Sequence, residues 1–425
     1  MSALVLLASF RTEAKELGVS SSRQNNSVSY PAFPKEILNR SRVRAKEKET
    51  LNNQVDPLLH QDWGLSDIGF FDSFTPLVQP ILGQVAPCSN QIVVAVVDTG
   101  VDYTHPELKN NIWTNSGEVG FWNPKEANST TCRDKSCNGL DDDNNGFIDD
   151  VAGWDFVNNQ PLPFDSHGHG THIAGIIAAQ SSNGIGATGV CPNVSIMALK
   201  YYDSGSNGVN NLQNTVRAIQ YAVRMGAHII NYSGGGSEPA STERMAVEEA
   251  NRKGVLLVAA AGNDGHNNSI SPYYPASYPV DNIIGVASVN QKNQLLSSSN
   301  YGTTVHVAAP GLGILSTVPG ARFATMSGTS QATAFVSGAA ALLASQNRGK
   351  GASFDFHQIK QWILDGAKPL PSNENKSIVI SGLLSIPGSL AQAVKNNAQD
   401  LAQQKESVPS IALIPVGKSK KKLQD

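Results

Sequence analysis

A chain of 425 residues, 40% apolar and with 38 glycines, can bury a large core as one big α/β domain or two smaller ones, which excludes a wholly disordered protein. Its net charge of −3 supplies no general positive field, so polyanion binding is excluded as the main role and no nucleic-acid partner is expected. No apolar run approaches the ~18 residues of a membrane span.

Residues 1–55 read as an N-terminal extension. Its first ten residues have the apolar middle of a secretory signal without a positive start, and the remainder is a polar linker or the remnant of a prosegment. From residue 56 the character changes, and Trp63, Leu65, Ile68, Phe70 and Phe71 can anchor the segment on a core. The β-branched run 91–97 predicts a strand buried on both faces of a parallel sheet. It ends in Asp98, at the position where open α/β sheets place ligand sites, although taken alone an Asp here is a turn residue.

Residues 165–179 carry His167, His169 and His172 into a helix of small residues. Zinc is the first thought, but the His-Glu-x-x-His arrangement is absent and a base at the helix entrance fits better. Strands over 194–199, 227–231 and 254–261 alternate with helices over 210–225 and 243–253, the pattern of a parallel sheet wrapped by helices on both faces. Asn263, after the last of these strands, can donate its amide to an oxyanion or merely close a Gly-Asn turn. Gly328-Thr329-Ser330 runs into the small-residue stretch 332–344, so Ser330 is expected on the first turn of a buried helix, where unpaired N–H groups and the helix dipole favour developing negative charge. Further helices are expected over 357–366 and 388–395, and then a basic, disordered tail from 399 to 425.

Four cysteines suggest two bridges. Cys132 and Cys137 bracket a short polar loop without a nearby histidine; Cys88 and Cys191 each precede an apolar strand and can pair if those strands are neighbours. Two bridges would imply an oxidising compartment.

Taken together, Val96-Val97-Asp98-Thr99-Gly100 with His105-Pro106-Glu107, His169-Gly170-Thr171-His172, Ala261-Gly262-Asn263 and Gly328-Thr329-Ser330 resemble the signature blocks of the subtilisin-like serine proteases, in that family's chain order. The resemblance covers residues 56–398 and implies a three-layer α/β/α fold with a mostly parallel central sheet. It implies Ser330 as nucleophile, His169 as general base, Asp98 as its orienting acid, and Asn263 with the Ser330 N–H as an oxyanion hole. The stretch 231–236 resembles the family's substrate-pairing edge strand; Ser233, Gly234, Gly235, Ala260 and Gly262 are the expected substrate-binding residues, with a roomy first pocket for large apolar or uncharged side chains. Departures fall at Gln331, Ala334 and Phe335, where the family usually shows Met, Pro and His.

Between Asp98 and His169 an acidic insertion at 112–165 matches a calcium loop, with donors at Asp141, Asp143, Asn145, the Phe147 carbonyl and Asp149. Ala152 stands where a bidentate Glu is expected, so Asp150 or Asp155 must complete the shell. By resemblance, Glu107 and Asn183 would hold a second structural calcium ion. The expectation is a monomeric, secreted or envelope-associated serine endopeptidase acting on polypeptides, stabilised by calcium, without an organic cofactor. The alternatives are a catalytically silent binding scaffold and an esterase or acyltransferase using the same three residues.

Overall fold

The computed structural model describes residues 55–74, 88–121, 134–205, 208–348, 353–371 and 381–406. A short helix α1 (Trp63–Asp67) precedes strand β1 (Val93–Asp98), which is buried along its whole length. Next come β2 (Gly153–Asp155), β3 (Gln160–Pro161), helix α2 (His169–Ala178), β4 (Ser195–Lys200), α3 (Gly208–Arg224) and β5 (Ile229–Tyr232). Helix α4 (Ser241–Arg252), β6 (Leu256–Ala260), β7 (Ile283–Val289) and β8 (Val307–Pro310) come after these. The hairpin β9 (Ile314–Val318) and β10 (Arg322–Met326) leads into α5 (Thr329–Arg348), α6 (Phe356–Asp365) and α7 (Ile386–Glu406).

Eight strands form one sheet in the order β3-β2-β4-β1-β5-β6-β7-β8, parallel except for the β2–β3 pair. Because side chains alternate across a strand, Val94 and Val96 of β1 enter one core while Val93, Ala95 and Val97 enter the other. The first core lies under α2, α5, α6 and α7; the second lies under α3 and α4, through Ala218, Ile219, Ala222, Ala246, Val247 and Ala250. The chain therefore has the expected three layers. Small residues let α5 approach closely: a methyl added at Gly338 would stand 2.6 Å from the Val190 side chain.

The expected strands and helices fall within a few residues of those observed, and α7 is the main exception. It runs to Glu406 where 388–395 was expected, because 396–406 is built largely of Ala, Gln, Leu, Lys and Glu and holds no Gly or Pro to stop it. The rest of the tail lies outside the described residues, as do residues 1–54.

Strands β1 and β4 are neighbours, in register from Val93 opposite Ser195 to Asp98 opposite Lys200. The Cys88–Cys191 disulfide just ahead of them ties their entrances together, with Cα atoms 5.4 Å apart. The expected Cys132–Cys137 bridge has its Cys132 end outside the described residues. Closing a separation of 103 residues restricts the unfolded chain strongly. Replacing Cys88 and Cys191 with Ser is expected to lower unfolding free energy by about 2–4 kcal/mol, read as a lower denaturant midpoint together with a steeper slope as the unfolded chain expands.

Candidate active site

Parallel strands of one sheet end on one side, so the carboxyl ends of β1, β5 and β6 deliver Asp98, Ser233 and the 261–263 turn to a common rim. Helices α2 and α5 start at that rim, with His169 and Ser330 in their first turns.

The approach of α2 to β1 is close because residue 170 has no side chain. A methyl at Gly170 would collide with the Gly100 carbonyl and lie 3.1 Å from the Asp98 side chain. With that gap closed, His169 Nδ1 lies 2.7 Å from Asp98 Oδ1. A carboxylate accepts, so Nδ1 carries the hydrogen and Nε2 is the basic nitrogen of the neutral ring. Burial alone would push the imidazole pKa down, but the charge of Asp98 and its hydrogen bond outweigh that cost and hold it above its ordinary value.

Asp165 holds the arrangement from behind and is one residue that sequence reasoning did not single out. Fully buried, it accepts hydrogen bonds from the backbone of His167, Gly168 and Thr171 and from both the Thr99 and Thr171 hydroxyls. Thr99 Oγ1 in turn accepts from the Gly170 N–H at 2.9 Å. One carboxylate thus caps the entrance of α2 and ties it to the residue after Asp98.

His172 has a different role from His169. Its Nε2 faces the carbonyls of Ile314 and Ala324 at 3.0 and 3.1 Å, so it donates to the β9–β10 hairpin. Burial lowers its pKa to about 3, keeping it neutral. It is a strut between α2 and the hairpin that precedes Ser330.

Ser330 is 4% exposed, and its Oγ donates to the Ser233 carbonyl at 3.1 Å. Asn263 Oδ1 accepts from the Thr329 N–H at 2.9 Å and lies 3.2 Å from the Thr329 hydroxyl. Since a backbone N–H requires an oxygen opposite it, the Asn263 amide is oriented with Nδ2 as its remaining donor. Of the expected substrate-binding residues, Ser233, Gly234 and Gly235 form an overhang beyond β5, and Ala260 and Gly262 stand at the end of β6. Strand β5 itself is internal, between β1 and β6, so edge-type pairing is available only along the overhang.

The acidic insertion gathers its carboxylates around Asp143. Asp143 meets Glu118 and Asp150, with carboxylate oxygens of the three all within 4.8 Å of one another. Asp141 accepts from the backbone of Asn145 and Gly146, four and five residues on, and Asp149 turns back to the Gly139 N–H. Asn145 Oδ1 accepts from the Phe147 N–H while its Nδ2 donates to Asp143 and Asp150. The Phe147 ring packs edge-on against Trp154, Phe156 and Tyr221, and Asp155 is used in its own turn with Val157 and Asn158. Glu118 is fully buried; Oε1 accepts from Asp142 and Asp143 N–H, but Oε2 has no partner. Burial raises the Glu118 pKa to about 7 and that of Asp150 to about 6.

Glu107 and Asn183 are also brought together, with Asn183 Nδ2 donating to Oε2 at 2.8 Å while Glu107 Oε1 is buried without a partner. Burial raises the Glu107 pKa to about 8. The loop around Asn183 is held by Asp56, which accepts from Ser182, Asn183 and Gly184 N–H and from the Thr188 hydroxyl.

The profile of the subtilase family matches residues 89–404. The chain belongs to the subtilase family. It is 42% identical over 255 residues to the thermophilic serine proteinase of Bacillus sp. strain AK1, an alignment covering 60% of this chain and 52% of that one. With thermitase of Thermoactinomyces vulgaris it shares 40% over 255 residues, 60% of this chain and 75% of that one. It is 29% identical over 395 residues to subtilisin-like protease 1 of Plasmodium berghei, covering 86% of this chain and 61% of that one. The chain thus spans only about half to three quarters of these relatives. Among solved structures, that of the prenylagaramide maturation protease PagA superposes with a TM-score of 0.55 at 26% identity, covering 75% of this chain and 99% of that one.

In an NMR pH titration the His169 imidazole is expected to titrate above 6.5, its ordinary value. Asp98→Asn removes the charge that offsets burial, so the midpoint is expected to fall below that value; a wild-type midpoint at or below 6.5 would contradict the Asp98–His169 coupling.

Proposed function

We propose that this subtilase is a serine endopeptidase in which Ser330 attacks the peptide carbonyl, His169 takes and later returns the proton, and Asp98 orients and stabilises the imidazolium. The observation that carries this reading is the 2.7 Å contact between His169 Nδ1 and Asp98, made at a rim where Ser330 heads a buried helix. With Nδ1 committed to the carboxylate, Nε2 is the atom that accepts the serine proton. As the negative charge moves to the carbonyl oxygen, Asn263 Nδ2 and the Ser330 backbone N–H donate to it, and the positive end of α5 adds to the stabilisation. The leaving amine then receives the proton from His169, and water hydrolyses the acyl-enzyme by the same sequence. Polypeptide substrates pair along the overhang 233–236, where the absence of side chains at Gly234 to Gly236 gives close backbone access. The Cys88–Cys191 disulfide favours an oxidising, extracytoplasmic setting.

A serine-directed phosphonate is expected to label Ser330, located by mass spectrometry, and Ser330→Ala to lower kcat on peptides by about 10⁶. Labelling at another residue, or peptide hydrolysis surviving the substitution, would reject the assignment.

A structural calcium ion fits the insertion, held by Glu118, Asp143 and Asp150, because it would satisfy the orphaned Glu118 Oε2 and offset the mutual repulsion. Glu107, whose Oε1 is likewise orphaned, would serve a second ion with Asn183 and the neighbouring loop. Glu118 and Asp150 leave ordinary values of 4.5 and 3.8 in the unfolded chain for about 7 and about 6 in the fold, so between those limits the folded chain holds the extra protons. With Glu107 at about 8 as well, stability in chelator is therefore expected to fall as pH rises from about 4 to about 8, with calcium raising Tm most at the upper end of that window. A melt at pH 8 unmoved by calcium would remove the proposed ions.

A further inference from the structure

The overhang after β5 and the turn after β6 stand on either side of the nucleophile, Ser233 touching Ser330 and Asn263 touching Thr329. The slot between these two walls is where the side chain on the amino-terminal side of the scissile bond must project. Glycines at 234, 235 and 262 make that slot look open from the sequence. It is filled from below.

A methyl built on Gly235 would lie 2.5 Å from Tyr273 Cε1, and one built on Gly262 would lie 3.0 Å from Tyr273 Cγ. The phenol ring therefore spans the slot from one wall to the other. Beside it, the hydroxyl of Tyr201 would collide with a methyl built on Gly234. Tyr273 is 3% exposed, and its backbone is fixed on both sides. Tyr274 and Gly236 exchange two backbone hydrogen bonds at 2.8 and 3.0 Å, and the Tyr273 N–H donates to Ser277 Oγ. A cavity of about 230 Å³ adjoins the ring and is lined by Ser237, Asp264, His266 and Asn300, but not by Gly234, Gly235, Ala261 or Gly262.

We infer that Tyr273 determines cleavage specificity by closing this slot, so that the enzyme cuts after Gly, Ala or Ser and rejects large apolar side chains. The inference rests on the serine endopeptidase reading and reverses the roomy pocket expected from the small walls alone. A large side chain could enter only by displacing a packed ring, and overpacking of that kind discriminates strongly.

The test is a peptide series differing only in the residue before the scissile bond (Gly, Ala, Ser, Leu, Phe), assayed on the wild type and Tyr273→Gly, with phosphonate labelling of Ser330 measured in parallel. Wild-type kcat/KM is expected to favour Ala over Phe by about 10- to 200-fold. In Tyr273→Gly the Phe substrate should gain by a similar factor while Ser330 remains the labelled residue. A wild type that cleaves after Leu or Phe as readily as after Ala overturns the inference, as does a folded, normally labelled variant with an unchanged profile. Should Tyr273→Gly fail to fold, Tyr273→Ala and the wild-type series decide by the same criterion. Absence of labelling at Ser330 in the wild type would instead overturn the nucleophile assignment on which the inference stands.

Discussion

The close approach of helix α2 to the end of strand β1 is the constraint on which the site depends. An acid on a strand and an imidazole on a helix can share one hydrogen only if the two backbones nearly touch, and a residue without Cβ at 170 permits this. Asp165 then converts proximity into fixed orientation, because its carboxylate binds the N–H groups at the α2 entrance together with the hydroxyl of Thr99, next to Asp98. The same helix reaches the hairpin through His172, and that hairpin feeds α5. Asp98 and His169 are thus fixed by buried polar contacts, and through His172 the same helix is tied to the hairpin whose chain continues to Ser330.

Buried carboxylates elsewhere in the fold divide into two kinds. Asp62 caps α1 by accepting from the Leu65 N–H, and Glu243 accepts from the Tyr278 hydroxyl; burial raises both to about 7, and neither has an orphaned oxygen. Glu107 and Glu118 each keep one buried oxygen with no donor opposite it. Desolvation is common to all four, so elevated pKa alone does not mark a cation site. The unpaired carboxylate oxygens of Glu107 and Glu118 are the added observation on which the proposed ions rest, since a native fold rarely leaves a buried oxygen unpaired.

Much of the architecture was legible in the sequence. Continuous β-branched runs such as 92–97 have no alternative to a doubly buried strand, and the Ala-rich stretch after Ser330 has the small residues that a helix pressed against a sheet requires. The acidic insertion was less legible. Alternating oxygen donors pointed to a shell drawn from one loop, but the carboxylate cluster around Asp143 also recruits Glu118 from far upstream. Local spacing cannot reveal a partner supplied by tertiary structure. Tyr273 escaped for the same reason, because its ring reaches the slot through a bridge between Tyr274 and Gly236 that nothing in the linear order announces.

The departures after the nucleophile also acquire a physical meaning. Phe335 is fully buried, and its ring end occupies the space that a methyl at Gly64 would need, so a large aromatic on α5 is accommodated by a glycine in α1. Trp63 of the same short helix donates its indole N–H to the Leu312 carbonyl just ahead of β9. The segment before the sheet is thereby fastened both to the helix that carries Ser330 and to the hairpin that leads into it. Gln331 is buried next to Ser330 with neither end of its amide paired, which is costly in a dry interior. Phe335 stands one turn further along α5, so its packing against Gly64 fastens the turn that follows Ser330 and Gln331 without offsetting that cost.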